Sequence, residues 1–174
     1  MPRRRRGGLE TSWLSDHISV IIFSTLPAPP CFKKGRQVSH QENFMDKMII
    51  ERLPNTRAIP GAKRWEEERG EFVQVAYQEA MHHLAAFQIR KGFSRGNHYH
   101  EKKEEIFYVF QGKIKALFLD MDTLRKEEKI LEKGDRIRVK PRCGHLFYGL
   151  EDTLVVEYSP QVYEKEDTHK IDLG

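Results

Sequence analysis

The chain has 174 residues, which suits one domain with a real core plus a terminal tail. Hydrophobic residues make up 39% and charged residues 32%, the balance of a soluble globular protein with a highly charged surface. The net charge of +4 equals the run Arg3–Arg6, so it reads as a basic tail and gives no reason to expect a nucleic-acid partner.

Residues 1–44 are rich in Pro, Gly, Ser and Arg without a sustained period, and read as a poorly ordered basic N-terminal extension. Arg3–Arg6 followed by Val20–Phe23 imitates a signal peptide, but Glu10, Asp16 and His17 lie between the charge and a short apolar run. No apolar run approaches the ~18 residues that span a bilayer. Two cysteines in unlike contexts, Cys31 and Cys143, offer neither a disulfide framework nor a zinc finger, and fit a reducing, cytoplasmic compartment.

Met45 and Met48 open a self-consistent domain over 45–174. Residues 45–65 look irregular, with Pro54 and Pro60 as breakers. From Glu71 onward short apolar, aromatic and β-branched runs recur: Phe72–Tyr77, Leu84–Ile89, Ile106–Phe110, Ile114–Asp120, Arg136–Val139, Leu146–Leu150 and Leu154–Tyr158. Turn signals separate them at Lys91-Gly92, Gln111-Gly112-Lys113, Lys133-Gly134-Asp135 and Glu151-Asp152. This rhythm predicts an all-β antiparallel sandwich or barrel. Glu79–His83 reads equally as a helical turn or a strand connection. Trp65, Phe72, Phe87, Phe107 and Phe118 are the expected aromatic core.

Residues i and i+2 of a strand share a face, so His98 and His100 project together while Tyr99 turns away. Glu105 can join them from the start of the next strand, and His145 from a strand across the barrel. Glu104, one residue off, is expected to point outward. Two or three imidazoles and a carboxylate without thiolate suit one divalent Zn, Ni, Mn, Fe or Co. The bland alternative is a pair of surface histidines on an edge strand. Arg95 either clamps a diphosphate or carboxylate, or pairs with a rim acid such as Glu67 or Glu68. Arg136, Arg138, Lys140 and Arg142 either line an anionic-substrate rim, with Arg142 the substrate-binding candidate, or form a solvated strand face. His82 and His83 read as structural, and Cys143 as a half-buried thiol.

The spacing Gly92-x5-His98-x-His100-x4-Glu105-x6-Gly112 resembles the first motif of the cupin superfamily, and Gly134 to His145 resembles the second. The second departs by having Lys140 and Arg142 where Pro and Gly are usual, and Gly149 where the motif closes on Asn. The resemblance covers about residues 66–168, with a motif core at 92–149. It implies a double-stranded β-helix, the cupin jelly-roll barrel, with the site in its mouth. Arg95-Gly-Asn-His-Tyr-His100 resembles the R-G-N-H-Y-H of the C-terminal cupin domain of capsular polysaccharide assembling proteins. Glu67–Phe72 and Ser159–Thr168 are similar to the opening and closing segments of those domains, and the former also to dTDP-4-dehydrorhamnose 3,5-epimerases. Sugar 3,4-ketoisomerases share the R-G-x-H-x-H layout.

These families imply a nucleotide-linked keto sugar as substrate and enolisation as chemistry, in polysaccharide biosynthesis. By the epimerase pattern His98 would be a metal-free base; by the capsular pattern it would be a metal ligand beside His100, Glu105 and His145, which the full ligand set favours. Tyr158 and Tyr163 are candidate acids near the barrel exit, or strand anchors. Three readings follow: a metal-binding sugar epimerase or isomerase, a non-catalytic sugar- or metabolite-binding module, and an Fe(II) dioxygenase. A homodimer is expected, because small jelly rolls expose sheet edges that a strand such as Phe72–Tyr77 can pair. The expected partner is otherwise a small anionic sugar, with neither nucleic acid nor membrane.

Overall fold

The computed structural model describes residues 46–174, so the N-terminal extension and its signal-like run lie outside the described residues. In chain order the strands are β1 (Met48–Arg52), β2 (Lys63–Glu67), β3 (Gly70–Gln74), β4 (His83–Ile89), β5 (Ser94–His100) and β6 (Glu105–Gln111). They continue as β7 (Lys113–Asp120), β8 (Lys126–Glu132), β9 (Asp135–Val139), β10 (Cys143–Gly149), β11 (Thr153–Ser159) and β12 (Thr168–Lys170). A 3-10 turn, Lys165–Asp167, precedes the last strand.

Two five-stranded antiparallel sheets, β1-β9-β6-β11-β4 and β12-β5-β10-β7-β8, face each other. This is the cupin jelly roll that the motifs imply. The alternation that predicts the strands also fills the space between the sheets. In β7, Ile114, Ala116 and Phe118 are buried and their neighbours half-buried. In β9, Ile137 and Val139 point inward while Arg136 and Arg138 point out. Phe107 and Phe147 meet edge-to-face at 5.1 Å across the core. Such packing of large inward side chains is the main source of stability, at about 25 cal/mol per Å² removed from water.

Several expectations need correction. Residues 45–65 are not irregular throughout: they contain β1, whose Met48 is buried and pairs with Val139, and β2. Pro54 and Pro60 sit in the connection between these strands. The Phe72–Tyr77 run is shorter as a strand. As β3 it pairs only with β2, in a hairpin where Trp65 stacks on Phe72 at 4.2 Å. Phe72 is 47% exposed, so it is not core. Of the two readings of Glu79–His83 the strand connection holds, since no helical turn forms there and β4 starts at His83. β8, with the sequence KEEKILE, lacks the apolar alternation that marks the other strands because it ends its sheet: only Leu131 is buried, and the charged residues blunt an open edge.

The β6–β7 turn needs glycine. Gly112 has φ +83°, and a Cβ there would lie 2.5 Å from the Asp152 carbonyl oxygen. Among the described residues, no helix is long and apolar enough to cross a membrane.

Candidate active site and metal centre

The site is built on an irregularity in β5. Opposite β10, His98 pairs with His145, Gly96 with Leu146 and Arg95 with Phe147, so Asn97 is an extra residue. Gly96 (φ +102°) and Asn97 (φ 66°) carry this bulge. The C-terminal segment secures it, with Ile171 N–H donating to the Asn97 carbonyl (3.1 Å) and Leu173 N–H to Asn97 Oδ1 (2.9 Å). Without the extra residue, Arg95 and His98 would point to opposite faces; with it, both point into the barrel mouth.

All four expected ligands come together there. The His98 ring lies 4.7 Å from that of His145 and 5.0 Å from that of His100, centroid to centroid. Glu105, the first residue of β6, sits among them, with Oε2 3.5 Å from His145 Nε2 and Oε1 3.2 Å from His100 Nε2. Their roles differ, however. His98, Glu105 and His145 each bring a ligating atom within 4.8 Å of the others. His100 stands outside that set: its Nδ1–H donates to the Asp167 carbonyl (2.9 Å) and its Nε2 faces Glu105. It orients the carboxylate.

A buried lysine completes the cluster. Lys103, only 4% exposed, places Nζ 2.9 Å from both Glu105 Oε1 and Glu157 Oε1. Asp167 fixes it indirectly, its carboxylate accepting the backbone N–H groups of Glu101, Lys102 and Lys103 at 3.0–3.3 Å. Sequence reasoning missed Lys103, Glu157 and Asp167. The run Glu101–Glu105 reads as a solvated turn, and nothing local signals that Asp167 turns Lys103 inward.

Burial opposes ionisation of Glu105, but the His100 hydrogen bond and the nearby His145 and Lys103 outweigh it and hold the carboxyl far below the usual range. Burial likewise opposes the charged forms of His100 and Lys103, yet Glu105 raises both. Burial lowers His98, and pushes His145 down to about 4. A pH dependence follows. Unfolded His145 takes a proton near pH 6.5, whereas the native residue does so only near 4. The unfolded state therefore binds more protons in this window, and stability present above pH 6.5 is lost as the pH falls toward 4. For chelator-treated protein the loss from His145 is about 3 kcal/mol. His100 acts in a separate window, where its contribution is lost as the pH rises above 6.5 through its raised value. Urea denaturation between pH 4 and 7 is expected to show the acid limb, and His145→Asn to flatten it.

The remaining candidates divide clearly. Arg95 reaches the mouth: its Nε donates to the Gln88 carbonyl (2.9 Å) and its guanidinium lies 5.5 Å over Phe87. Among the described residues it has no acidic partner, and Glu67 is taken by Arg57 and Arg69. Arg142 is not brought to the site, because Glu101 holds it bidentately (2.7 and 2.8 Å) and Asp122 holds its Nε (2.7 Å). Tyr158 also misses the site. It lies on the opposite face of β11 from Val155 and Glu157, with its hydroxyl between Glu79 (3.0 Å) and Arg136 (3.1 Å). Tyr163 stands at the rim, its ring 5.7 Å from Lys103 Nζ and 6.3 Å from His83. Glu104 points outward as expected, to Arg138. Arg136 and Arg138 form neither a substrate rim nor a freely solvated face, being tied to Glu51, Glu79 and Glu104.

The resulting cavity is about 130 Å³, lined by Arg95, His98, Glu105, His145 and Glu157 on a floor of Phe87, Phe107 and Phe147. One buried ligand-type atom among these residues, Glu105 Oε2, has no hydrogen-bond partner among the described residues. A buried carboxylate oxygen left unpaired beside two imidazoles is the donor set of a two-histidine, one-carboxylate metal site. The residues present fit a divalent ion with His98, Glu105 and His145 as ligands and His100 behind the carboxylate.

Comparison with known proteins places the chain. The polysaccharide biosynthesis C-terminal domain family matches residues 65–168. A UDP-2-acetamido-2,6-beta-L-arabino-hexul-4-ose reductase of Pseudomonas aeruginosa is 27% identical over 114 residues, or 62% of this chain. The match spans only 31% of that protein's length. Among solved structures, the dTDP-4-dehydrorhamnose 3,5-epimerase of Sulfolobus tokodaii aligns with a TM-score of 0.63 at 20% identity, covering 76% of this chain and 81% of its own. The TDP-quinovose 3,4-ketoisomerase of Campylobacter jejuni aligns with 0.59 at 13% identity, covering 72% and 94%. At these identities the structural likeness establishes the fold. The family match extends over most of the barrel and the whole of the histidine–glutamate cluster, and the chain belongs to the polysaccharide biosynthesis C-terminal domain family.

Proposed function

We propose that the protein is an epimerase or isomerase that acts on a nucleotide-linked keto sugar by enolisation, with one divalent metal at His98, Glu105 and His145. The observation that carries this reading is the buried, half-satisfied Glu105 carboxylate facing two imidazoles, in a cavity whose rim carries an arginine without an acidic partner among the described residues. A 4-keto group acidifies the neighbouring C–H, so the site must bind the keto sugar, stabilise an enolate oxygen and move a proton. A metal held by these three residues would supply Lewis-acid polarisation of the carbonyl oxygen.

The protein's own residues supply the rest. A cavity of about 130 Å³ is too small for a whole nucleotide sugar, since drug-sized ligands fill roughly 300–1,000 Å³. The nucleotide therefore crosses the rim, where the Arg95 guanidinium is free to take the diphosphate. The aromatic floor excludes water, which strengthens each charge above it. The expected homodimer belongs to the same proposal: β4 ends its sheet with Leu84 64% exposed, and offers the edge that a second copy would cover.

The test is NMR of the purified protein in D₂O with dTDP- and UDP-linked 4-keto-6-deoxyhexoses, alongside elemental analysis. Deuterium is expected to enter the carbon next to the keto group. About one metal per chain is expected, absent from His98→Ala/His145→Ala. Binding without exchange would support a sugar-binding module instead, and iron with oxygen uptake a dioxygenase.

A further inference from the structure

The enolisation reading needs a proton carrier. His98 and His145 are assigned there to the metal, Tyr158 faces away, and Glu105 Oε1 is occupied by Lys103 and His100. We propose that Glu157 is the catalytic group that moves the substrate proton, held for that task by Lys103 and His83. The proposal rests on the enolisation reading and deepens it.

Glu157 lies on β11 opposite Phe107 and lines the same cavity as Arg95, His98 and Glu105. Its two oxygens are treated unequally. Oε1 receives both nitrogen neighbours, Lys103 Nζ at 2.9 Å and His83 Nε2 at 3.4 Å. Among the described residues no hydrogen bond or ion pair reaches Oε2. A carboxylate that served only as counter-ion to Lys103 would be redundant, because Glu105 already lies 2.9 Å from the same ammonium. One oxygen pinned and the other without a partner, on a side chain that lines the cavity, is the arrangement of a positioned general base: the side chain is held in place, and a basic oxygen remains for substrate. Its side chain is 15% exposed, so a captured proton can exchange with solvent.

The step balances without any redox partner. Glu157 Oε2 takes the proton from the carbon beside the keto group, and the C–H electron pair becomes the C=C of the enolate as negative charge moves to the carbonyl oxygen. The carboxylic acid then returns a proton to a carbon of the enolate, the carbonyl reforms and the carboxylate is restored. Lys103 and His83 are positioning residues, because they touch Glu157 and act through it.

The test uses the full chain with its metal as purified and the same two nucleotide sugars. Glu157→Gln keeps shape and leaves Lys103 paired with Glu105, so it is expected to fold. Deuterium wash-in should fall by about 100-fold or more, while the nucleotide-sugar Kd stays within about threefold and metal content is unchanged. A variant exchanging within about threefold of wild type overturns the proposal, as does an equal loss of binding and exchange. If the glutamine variant does not fold, Glu157→Asp replaces it. The shortened carboxylate should lose exchange and keep binding, and unchanged exchange overturns the proposal there too. Wild-type protein that binds either sugar without exchange removes the enolisation reading itself, an outcome distinct from a wild type that exchanges and a Glu157→Gln variant that does so equally well.

Discussion

Glu105→Gln is expected to destabilise chelator-treated protein by about 3–5 kcal/mol, the loss that follows when a buried ion pair is broken from one side. The reason is Lys103. Its ammonium is 4% exposed and held at 2.9 Å by each of two carboxylates, and glutamine removes the more deeply buried of them. The His100 imidazole, whose charged form Glu105 favours, loses the same partner. Lys103→Met alone should also be costly, because it leaves Glu105 with a reduced complement of cations in a nearly dry site. The double substitution removes both charges together and should recover part of the loss. In a urea double-mutant cycle the coupling should be about 1–3 kcal/mol, against roughly 0.5 or less for exposed pairs elsewhere on the barrel. Additive single effects would mean that water screens the pair and that Lys103 is a surface lysine in solution. Metal content gives an independent readout: Glu105→Gln should lose it, whereas Lys103→Met, which removes no ligand, should retain it.

The barrel is legible in the sequence because its strands alternate and its turns carry glycine. β7 and β9 read directly from period two, which also puts His98 and His100 on one face, and the two motifs together imply that Glu105 and His145 join them, where the fold does bring them. What local sequence cannot show is fixed by contacts between distant residues. Lys103 looks solvated within Glu101–Glu105, and becomes buried because Asp167, more than sixty residues on, gathers the N–H groups of its turn. On β11 the sequence offers Tyr158, beside Tyr163 further on, as a candidate acid or a strand anchor, and it stands one residue away from the acid that lines the cavity. Both faces of β11 near its end are covered, so hydrophobicity does not reveal which one faces inward. The inward residue is the acid Glu157, and the outward one is Tyr158, under Glu79 and Arg136. A single-residue slip exchanges the faces of a strand, and register decides this case through the pairing of Val155 with Phe87 and Val109. Arg136 and Arg138 are legible as outward-facing, but not as ion-paired, because Glu51 on the neighbouring strand β1 and Glu79 in the β3–β4 connection lie far from them in sequence. The same distance effect separates the ligands: His98 and His100 look equivalent in sequence, and only the Asp167 carbonyl draws one of them away.

The bulge at Gly96 gives the second large expected effect, and it ties backbone geometry to function. Gly96→Ala would place a Cβ 2.7 Å from the His145 carbonyl oxygen and 3.3 Å from the His145 ring, at φ +102°. The obstruction is backbone, which cannot rotate aside. Gly92→Ala is the matched control, with a similarly left-handed φ of +83° and nothing within 4 Å of its Cβ. The control should lose only the cost of backbone strain, roughly 1–3 kcal/mol. Gly96→Ala should lose that plus an overpacking cost of about 1–3 kcal/mol. Urea denaturation of the two variants separates these contributions. The functional consequence should be larger in proportion. If the strand relieves the clash by expelling the bulge, Arg95 and His98 turn to opposite faces and cannot serve one substrate together. Losing a charge-assisted contact worth about 1.5–3 kcal/mol weakens nucleotide-sugar binding by roughly tenfold or more. Metal content should fall with it, because His98 leaves the other two ligands. A Gly96→Ala protein as stable as Gly92→Ala, with unchanged affinity and metal, would mean that β5 does not depend on this glycine to aim its side chains. The bulge would then be an incident of packing rather than the feature that assembles the site.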